Sequence, residues 1–272
     1  LCWRCHVFLL VNPDEEIMMM NVKLTATLVC SSLFLSACAN NMSTNDMLSL
    51  GTSGVQALTL SDSQLRDTAN QSCAQMDKAN NVAAANSKYT KRLNNIKKGL
   101  PTSIEGVPLS FKVYQVRDIN AWAMPNGCIR VYAGLMDMMT DDEVRGVLGH
   151  EIGHVQLGHS KNRFRVAALA SLGREVLAKS GNSTVANLNA GELGNLSEKF
   201  LNAQFSQKQE SDADDYSYTL LTGKGLSPKP LATSFEKLSK LSGGKGSVFD
   251  SHPGSDKRAK RIYERMAKEG KK

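Results

Sequence analysis

The stretch HEIGH at residues 150–154 decides the fold class of this chain. It follows the stretch TDDE at residues 140–143, in which a hydroxyl residue precedes an acid by three positions, the spacing of a capping box that starts a helix. The pattern therefore predicts a helix that continues through about residue 157. Two His residues at i and i+4 lie about 40° apart on such a helix, so His150 and His154 can reach one metal ion.

Glu151 lies beside these two His residues and can accept a proton from water at the metal. A catalytic zinc also needs a third protein ligand and one open position. A third His in the pattern HExxHxxGxxH is excluded, because Leu157 and Ser160 occupy the positions of its Gly and its last His. His159 lies about 140° from His154 around the helix, so we expect it to cap the helix C-terminus rather than bind the ion.

The third ligand is expected to be a Glu on a later helix. Glu210 has Asp214 one turn further on, so one residue can supply a metal-binding oxygen and the other an acceptor for a ligating His. Glu175 is the alternative, 21 residues beyond His154, but Lys179 occupies the position one turn after it. The sequence therefore predicts one Zn²⁺ ion per chain, held by the two His residues and Glu210.

The remaining sequence is mostly helical around a small sheet. Its apolar periodicity and turn residues indicate one domain of the α+β class over residues 61–272. Helices are predicted at residues 61–76, 87–100, 163–179, 193–221, 227–241 and 255–268, and strands at residues 107–116 and 129–132. A short extended piece from residue 120 ends in a turn at Gly127.

Residues 1–37 are predicted to be upstream sequence followed by a lipoprotein signal peptide. The three Met residues at 18–20 are candidate starts, Lys23 follows, and residues 24–35 are apolar but too short to span a bilayer comfortably. The small residues before Cys38 resemble the bacterial lipobox, in which the Cys is lipidated. The alternative is an ordinary signal peptide with a chance Cys.

Residues 38–60 are predicted to be the lipidated Cys and a flexible tether, because residues 39–56 are polar with little apolar periodicity. Ala39, rather than Asp, follows the Cys. By resemblance to Gram-negative lipoproteins, this favours the outer membrane, with the domain facing the periplasm. Cys73 and Cys128 then remain in an oxidising compartment and are expected to form one disulfide; two buried free thiols are the alternative.

The net charge of +7 belongs mainly to one end of the chain. Residues 1–37 hold two basic and three acidic residues, so the remaining 235 residues carry +8. Residues 257–272 hold eight basic and two acidic residues and account for +6 of this charge. Aromatic and basic residues do not interleave, so a nucleic-acid partner is not expected. The charge either faces anionic lipid or is solvated.

Three motifs together resemble the HtpX-like and CAAX-prenyl-protease-like zinc metallopeptidases. They are HEIGH, Glu210 followed by Ala213-Asp214, and His252-Pro253 with Arg258 downstream. The resemblance covers residues 105–265 and implies a zincin-like metallopeptidase domain of the gluzincin type. Integral-membrane members of the family carry additional spanning helices, and this sequence has no apolar run of that length, so it is most similar to the lipid-anchored bacterial branch.

The resemblance also assigns roles to other residues. His252 is expected to approach the zinc, where it stabilises the tetrahedral oxyanion or occupies the open zinc position at rest, and Arg258 to supply positive charge nearby. The piece before the Gly127 turn is expected to be an edge strand that pairs with an extended substrate. This edge strand comprises Asn120, Ala121, Trp122, Ala123 and Met124. Gln207 stands where many members have Arg, so no charge is expected there.

Two hypotheses of function follow. The first is a zinc-dependent endopeptidase that hydrolyses unfolded or misassembled envelope polypeptides and is attached to the membrane through its N-terminal lipid. The second is a periplasmic chaperone or assembly factor that uses the same groove without essential proteolysis. Glu151 favours the first, because pseudo-enzymes usually lose the base. A structural lipoprotein or nucleic-acid binder rests only on the positive charge, and no oligomeric state is predicted.

Overall fold

A computed structural model of the chain describes residues 61–179, 188–241 and 252–271. These residues belong to one compact unit, Ser53–Lys272. The predicted signal peptide, the lipidated Cys38 and the tether lie outside the described residues. Where the structure describes the chain, it is mostly helical with two small sheets, so the predicted α+β class is confirmed. In the same part of the chain, no helix combines the length and the apolar character needed to cross a bilayer.

The secondary structure follows the predicted order, with helices before, between and after short strands. The helices are α1 (Asp62–Ala79), α2 (Lys88–Ile96), α3 (Ala133–Met138), α4 (Asp141–Gln156), α5 (His159–Lys179), α6 (Ala190–Asn202), α7 (Gln207–Gly223), α8 (Lys229–Ser239) and α9 (Ser255–Lys268). The strands are β1 (Ser103–Ile104), β2 (Val107–Pro108), β3 (Ser110–Tyr114), β4 (Ala121–Ala123) and β5 (Cys128–Tyr132).

The larger sheet has the strand order β3-β5-β4 and separates two apolar clusters. β5 lies in the middle, parallel to β3 and antiparallel to β4. Because successive strand residues point to opposite faces, Ala121 and Ala123 join the cluster that includes α4, whereas Trp122 joins the cluster that includes α1 and α6. β4 therefore lies at an edge of the sheet, beside the helix that carries HEIGH.

Two predicted elements are each divided in the structure. The helix predicted at 193–221 is two helices, because Ser206 starts α7 anew: its Oγ accepts from the Gln209 amide (3.2 Å), and the Gln209 side chain accepts from the Ser206 amide (2.9 Å). The strand predicted at 107–116 is also divided into two strands, β2 and β3. Pro108 has no amide donor and ends the β1–β2 hairpin. β3 then begins at Ser110 against a different partner, β5.

Two glycines let α4 and α7 pack closely. A Cβ at Gly149 would lie 2.6 Å from Ser217 Oγ, and a Cβ at Gly153 would lie 3.0 Å from the Ala213 carbonyl oxygen. Side chains at these positions, four residues apart, would therefore push the two helices away from each other. The two glycines bring the helix that carries HEIGH into direct contact with the helix that carries Glu210.

The C-terminal helix α9 is fastened to α7 by arginines. Arg261 donates to Asp215 Oδ2 (2.8 Å) and to the Ser211 carbonyl (2.6 Å), and Arg265 donates to Asp215 Oδ1 (2.9 Å). Arg258, one turn earlier, is buried. Part of the C-terminal positive charge therefore holds α9 against the helix of the third candidate ligand.

A disulfide and a buried ion pair tie α1 to the sheet. Cys73 in α1 is bonded to Cys128 in β5, with a Cα–Cα distance of 6.5 Å. Beside it, Arg130 donates to both oxygens of Asp77 (2.8 and 2.9 Å), and the Tyr114 hydroxyl donates to the same carboxylate (2.8 Å). Burial raises the pKa of Asp77, but these hydrogen bonds outweigh it and lower the pKa to about 2.

Candidate active site

Four buried side chains converge between α4, α7 and the start of α9. One ligand atom from each of His150, His154, Glu210 and His252 lies within 4.8 Å of the others. The helical spacing of HEIGH places both His rings on the α7 side of α4, and the close helix contact brings Glu210 to them. The three predicted metal ligands are therefore adjacent in space, and His252 joins them as a fourth group.

His150 is oriented by a carboxylate behind it. Its Nδ1 donates to Asp214 Oδ1 (2.9 Å), and Asp214 also accepts from Arg258 Nε (2.8 Å) and Nη2 (2.6 Å). Since a carboxylate only accepts, the contact assigns the His150 proton to Nδ1 and leaves the Nε2 lone pair directed at the other ligands. Burial raises the pKa of Asp214, but the charge of Arg258 lowers it further, so Asp214 stays ionised.

His154 is enclosed by two aromatic rings. Its Nε2 lies 3.0 Å from His150 Nε2, its Nδ1 lies 3.1 Å from His159 Nδ1, and its ring stacks on Phe205 with centroids 3.7 Å apart. Burial lowers the pKa of His154 well below its ordinary value, so the ring is neutral, as a metal ligand must be. Instead of capping α4 as predicted, His159 begins α5 and contacts this ligand.

Glu210 spans the two His residues. Its Oε1 lies 3.5 Å from His154 Nε2 and its Oε2 lies 3.6 Å from His150 Nε2. Arg258 Nη1 lies 2.5 Å from Oε2. Burial raises the pKa of Glu210, but the charges of His252 and Arg258 lower it well below its usual range. The carboxylate is therefore available as an anionic oxygen ligand. The positive charge of Arg258 contacts this carboxylate directly.

His252 lies between the ligand group and the candidate base. Its Nδ1 is 2.9 Å from Glu210 Oε1 and 3.2 Å from His150 Nε2, and its Nε2 is 3.5 Å from Glu151 Oε1. The sequence left two roles open for this residue, and the observed position is the one that a fourth ligand would take.

Glu151 is buried, and within the part of the chain that the structure describes its Oε1 has no hydrogen-bond partner. Burial raises the pKa of its carboxyl group above the ordinary value, more than the neighbouring His residues lower it. A carboxyl group with a raised pKa takes up a proton more readily than an ordinary carboxyl group and can return it. An unsatisfied buried oxygen beside converging ligand atoms is typical of a site that receives a further group.

The edge of β4 opposite β5 has backbone groups directed away from the sheet, and its residues Ala121 and Ala123 are buried, at 0% and 3% exposure. Met124 donates to the Cys128 carbonyl and Tyr132 donates to the Asn120 carbonyl, both at 2.9 Å, so the even-numbered residues of this piece pair with β5. The amide and carbonyl groups of Ala121 and Ala123 therefore point away from β5. The structure places the predicted edge-strand residues beside the metal helix, with Asn120, Trp122 and Met124 buried.

Sequence reasoning missed the aromatic and basic residues that surround His154. Phe205 lies in the break between α6 and α7, and the guanidinium carbon of Arg163 lies 4.5 Å from its ring centroid. Arg163 donates to the Leu201 carbonyl (2.9 Å), and burial lowers its pKa to about 10. A capping box at Ser206 was the available signal for the break, whereas nothing local in the sequence pairs Phe205 with His154.

The donor set fits a zinc ion. Two or three imidazole nitrogens and one carboxylate, buried and preoriented by partners on their far sides, are the ligands that Zn²⁺ takes in catalytic sites. The Nε2 lone pairs of His150 and His154 converge at 3.0 Å, which a shared cation would stabilise. Glu175, the alternative third ligand, has its side chain outside the described residues, and Glu210 is the carboxylate found at the group.

A helix with HEIGH, a Glu from a second helix and a buried base together define a metallopeptidase centre. Comparison with known proteins agrees, because the model of Peptidase family M48 matches residues 88–266, and the chain belongs to this family. The resemblance inferred from the three motifs is thereby confirmed, and peptides are the substrates of such enzymes.

Relatives from two kinds of organism are similar to this chain. It is 50% identical over 252 residues to Metalloprotease LoiP of Escherichia coli (strain K12), covering 92% of this chain and 99% of that protein. It is 45% identical to Metalloprotease YcaL of the same strain, with the same coverage. The mitochondrial metalloendopeptidase OMA1 of Arabidopsis thaliana is 31% identical over 159 residues, which is 58% of this chain and 31% of that protein.

Proposed function

We propose that this metallopeptidase is a zinc-dependent endopeptidase of the bacterial envelope that hydrolyses unfolded or misassembled proteins. The observation that carries the proposal is the buried group of His150, His154 and Glu210 with the Glu151 carboxyl group beside it, whose Oε1 has no hydrogen-bond partner among the described residues. A metal site with a carboxylate beside it supports hydrolysis, in which the carboxylate takes the proton of the attacking water.

His150, His154 and Glu210 would hold the zinc, and Asp214 and Arg258 keep two of these ligands in place. When bound, zinc polarises a carbonyl group and lowers the pKa of water. Glu151 takes a proton from the attacking water at its carboxylate and returns that proton to the leaving amine. The raised pKa of Glu151 favours the first of these steps, because it makes the carboxylate a stronger base.

His252 has to move if water and substrate are to reach the metal ligands. Its Nδ1 is within 3.2 Å of His150 Nε2, and its Nε2 faces Glu151 Oε1. We assign this position to the resting enzyme. Once displaced, the imidazole remains close enough to donate to an oxyanion, which retains the second role inferred from the sequence.

The β4 edge supports unfolded polypeptides as substrates. Ala121 and Ala123 offer amide and carbonyl groups to a partner strand next to Glu151. Only an extended segment can pair with them, and folded domains seldom expose one. The two small side chains also face α4 and pack in the apolar cluster that includes this helix.

The location of the enzyme is proposed from the sequence before the described residues. Lipidation of Cys38 would attach the domain to the outer membrane on its periplasmic side, with residues 39–60 as the tether. Metabolic labelling with palmitate tests this: wild-type protein should carry label and fractionate with outer membranes, and Cys38→Ser should do neither. Label retained by Cys38→Ser would contradict the assignment.

The catalytic proposal is tested by comparing the zinc-loaded wild type with two variants. The purified full chain, loaded with zinc, should digest reduced and alkylated casein-like substrate much faster than a folded domain of similar length. Glu210→Ala should lose both zinc and activity, whereas Glu198→Ala, an exposed acid on α6, should lose neither. Full zinc occupancy in Glu210→Ala would return the third-ligand role to Glu175 or another acid. Binding of unfolded substrate without cleavage by zinc-loaded wild type would favour the chaperone hypothesis.

A further inference from the structure

Beyond the C-terminal end of β4 the surface opens into a groove of about 320 Å³, which we call the β4-end groove. Its walls come from α1, the β1–β2 hairpin, the residue Pro125 and the end of α4. Val155 and Gln156 in its wall directly follow His154, and Pro125 directly follows Met124. The groove therefore adjoins both elements that border the metal site, the metal helix and the edge strand.

The floor of the β4-end groove is apolar. Leu65 and Ile104 are 2% and 7% exposed, and Val107 and Val155 are half-buried beside them. A volume near 300 Å³ is at the lower end for ligand pockets in proteins, and open apolar clefts of this kind accept side chains.

The rim of the groove carries two acidic and two basic residues, and one acid and one base form a salt bridge. Lys161 Nζ donates to Asp62 Oδ2 (2.6 Å), and Gln156 Nε2 donates to Glu105 Oε1 (3.3 Å). Arg66 has no salt bridge to any residue in the described ranges, and, after the hydrogen bond from Lys161, its charge contributes to lowering the pKa of Asp62. The groove thus combines an apolar floor with an exposed guanidinium that can meet a carboxylate.

The backbone explains why a substrate would need this groove. The edge of β4 opposite β5 is formed by Ala121 and Ala123, and the next residue in that alternation is Pro125. Proline has no amide hydrogen, so strand pairing with a substrate ends there. A polypeptide that continues past β4 loses its backbone partners where the groove begins, and only side-chain contacts can hold it further.

We propose that the β4-end groove is a substrate subsite, which takes an apolar side chain of an extended polypeptide with an acidic residue next to it on Arg66. The proposal rests on the proposed endopeptidase function and narrows its substrates to segments that continue several residues beyond the scissile bond.

Three fluorescence-quenched peptides test the subsite: a core peptide that covers the scissile bond and β4 only, and two versions with a Ser-Ser-Leu-Glu extension at the N- or the C-terminal end. One of the two extensions should lower KM about tenfold, as expected for burial of one apolar side chain. Gln156→Trp, which fills the groove, should bring the KM ratio of core to extended peptide close to one. Gln115→Trp is the matched control, because Gln115 also donates to a neighbour and lines a separate cavity; it should leave the ratio unchanged.

Arg66→Glu provides the second test, since Arg66 is exposed and its replacement leaves the core intact. Arg66→Glu should reduce the KM advantage of the Leu-Glu extension more than the KM advantage of a Leu-Gln extension. A KM ratio that Gln156→Trp does not alter would overturn the subsite. So would faster cleavage of the core peptide by Gln156→Trp, which would indicate that residues preceding Ser61 fill the groove. Failure of zinc-loaded wild type to cleave any of the peptides would instead overturn the proposed function, and the subsite with it.

Discussion

The Nδ1 atoms of His154 and His159 lie 3.1 Å apart in a buried contact. If His154 binds metal through Nε2, its Nδ1 carries the proton and donates it to His159. His159 then does for His154 what Asp214 does for His150. The two metal-binding His residues of α4 are therefore held from opposite sides, one by a carboxylate on α7 and one by a neutral ring at the start of α5.

The contact predicts a role for His159 in metal affinity. His159→Phe keeps a ring but removes the acceptor, so zinc affinity should fall about 10–100-fold. His159→Asn places an oxygen near the former Nδ1 and should recover part of the loss. Zinc competition with a fluorescent chelator measures both variants. Equal affinities for wild type and His159→Phe would show that the contact does not orient His154.

The close packing of α4 on α7 predicts an effect of a single methyl group. In Gly153→Ala the new Cβ would lie 3.0 Å from a backbone oxygen of α7, which cannot move alone. We expect a loss of about 1–3 kcal/mol in the free energy of unfolding and weaker zinc binding, because Glu210 shifts with α7. Gly194→Ala in α6 meets no atom within 4 Å and should stabilise the protein slightly. Urea denaturation measures the free energy of unfolding of both variants, and metal titration measures their zinc binding. Unchanged zinc binding in Gly153→Ala would contradict the account.

The disulfide between Cys73 and Cys128 closes a long stretch of chain, with a sequence separation of 55 residues. Its removal in a Cys73→Ala/Cys128→Ala variant should cost about 4 kcal/mol, mainly by freeing the unfolded chain. Guanidinium denaturation of the oxidised protein and the variant measures this difference. If reducing and non-reducing gels of the native protein show the same mobility and mass, the bond is absent.

The ion pair of Asp77 and Arg130 predicts a pH dependence of stability. The pKa of Asp77 is about 2 in the folded protein and 3.8 is its ordinary value, so the folded state favours the ionised form. The stabilisation is complete above about pH 4 and is lost as the pH falls towards 2. Wild type should therefore exceed Asp77→Asn in melting temperature at pH 6, and the difference should shrink between pH 4 and pH 2. Asp67→Asn, on an exposed part of α1, is the control; a pH-independent difference for Asp77→Asn would contradict the prediction.

Much of the metal site could be predicted because its signals are local. HEIGH predicts two ligands and a base through helix periodicity alone, and the acid one turn later favours Glu210 over Glu175. The partners of those ligands are distant in sequence and carry no comparable pattern. The sequence pattern predicts that His159 caps the helix that ends near residue 157, whereas the chain turns at Gly158, which has a φ of 71°, and His159 begins a new helix.

The break between α6 and α7, within the helix predicted at 193–221, was also not predicted from the sequence. Apolar periodicity continues across the break, so it does not reveal that α6 ends at Asn202. The turn is decided by the Ser206–Gln209 capping box and by the packing of Phe205 on His154. The glycines at 149 and 153 are a further signal: glycine weakens a helix interior, and its presence twice at this spacing indicates close contact with another helix.

The central claim is that Glu151 is the base of a metal-dependent peptidase, and one comparison tests it most directly. Zinc content and digestion of an unfolded protein are measured together for wild type and Glu151→Gln. We predict full zinc occupancy in both proteins and a loss of cleavage by at least about 10³-fold in Glu151→Gln, because the amide cannot take the proton. Cleavage at the wild-type rate by zinc-loaded Glu151→Gln would contradict the account.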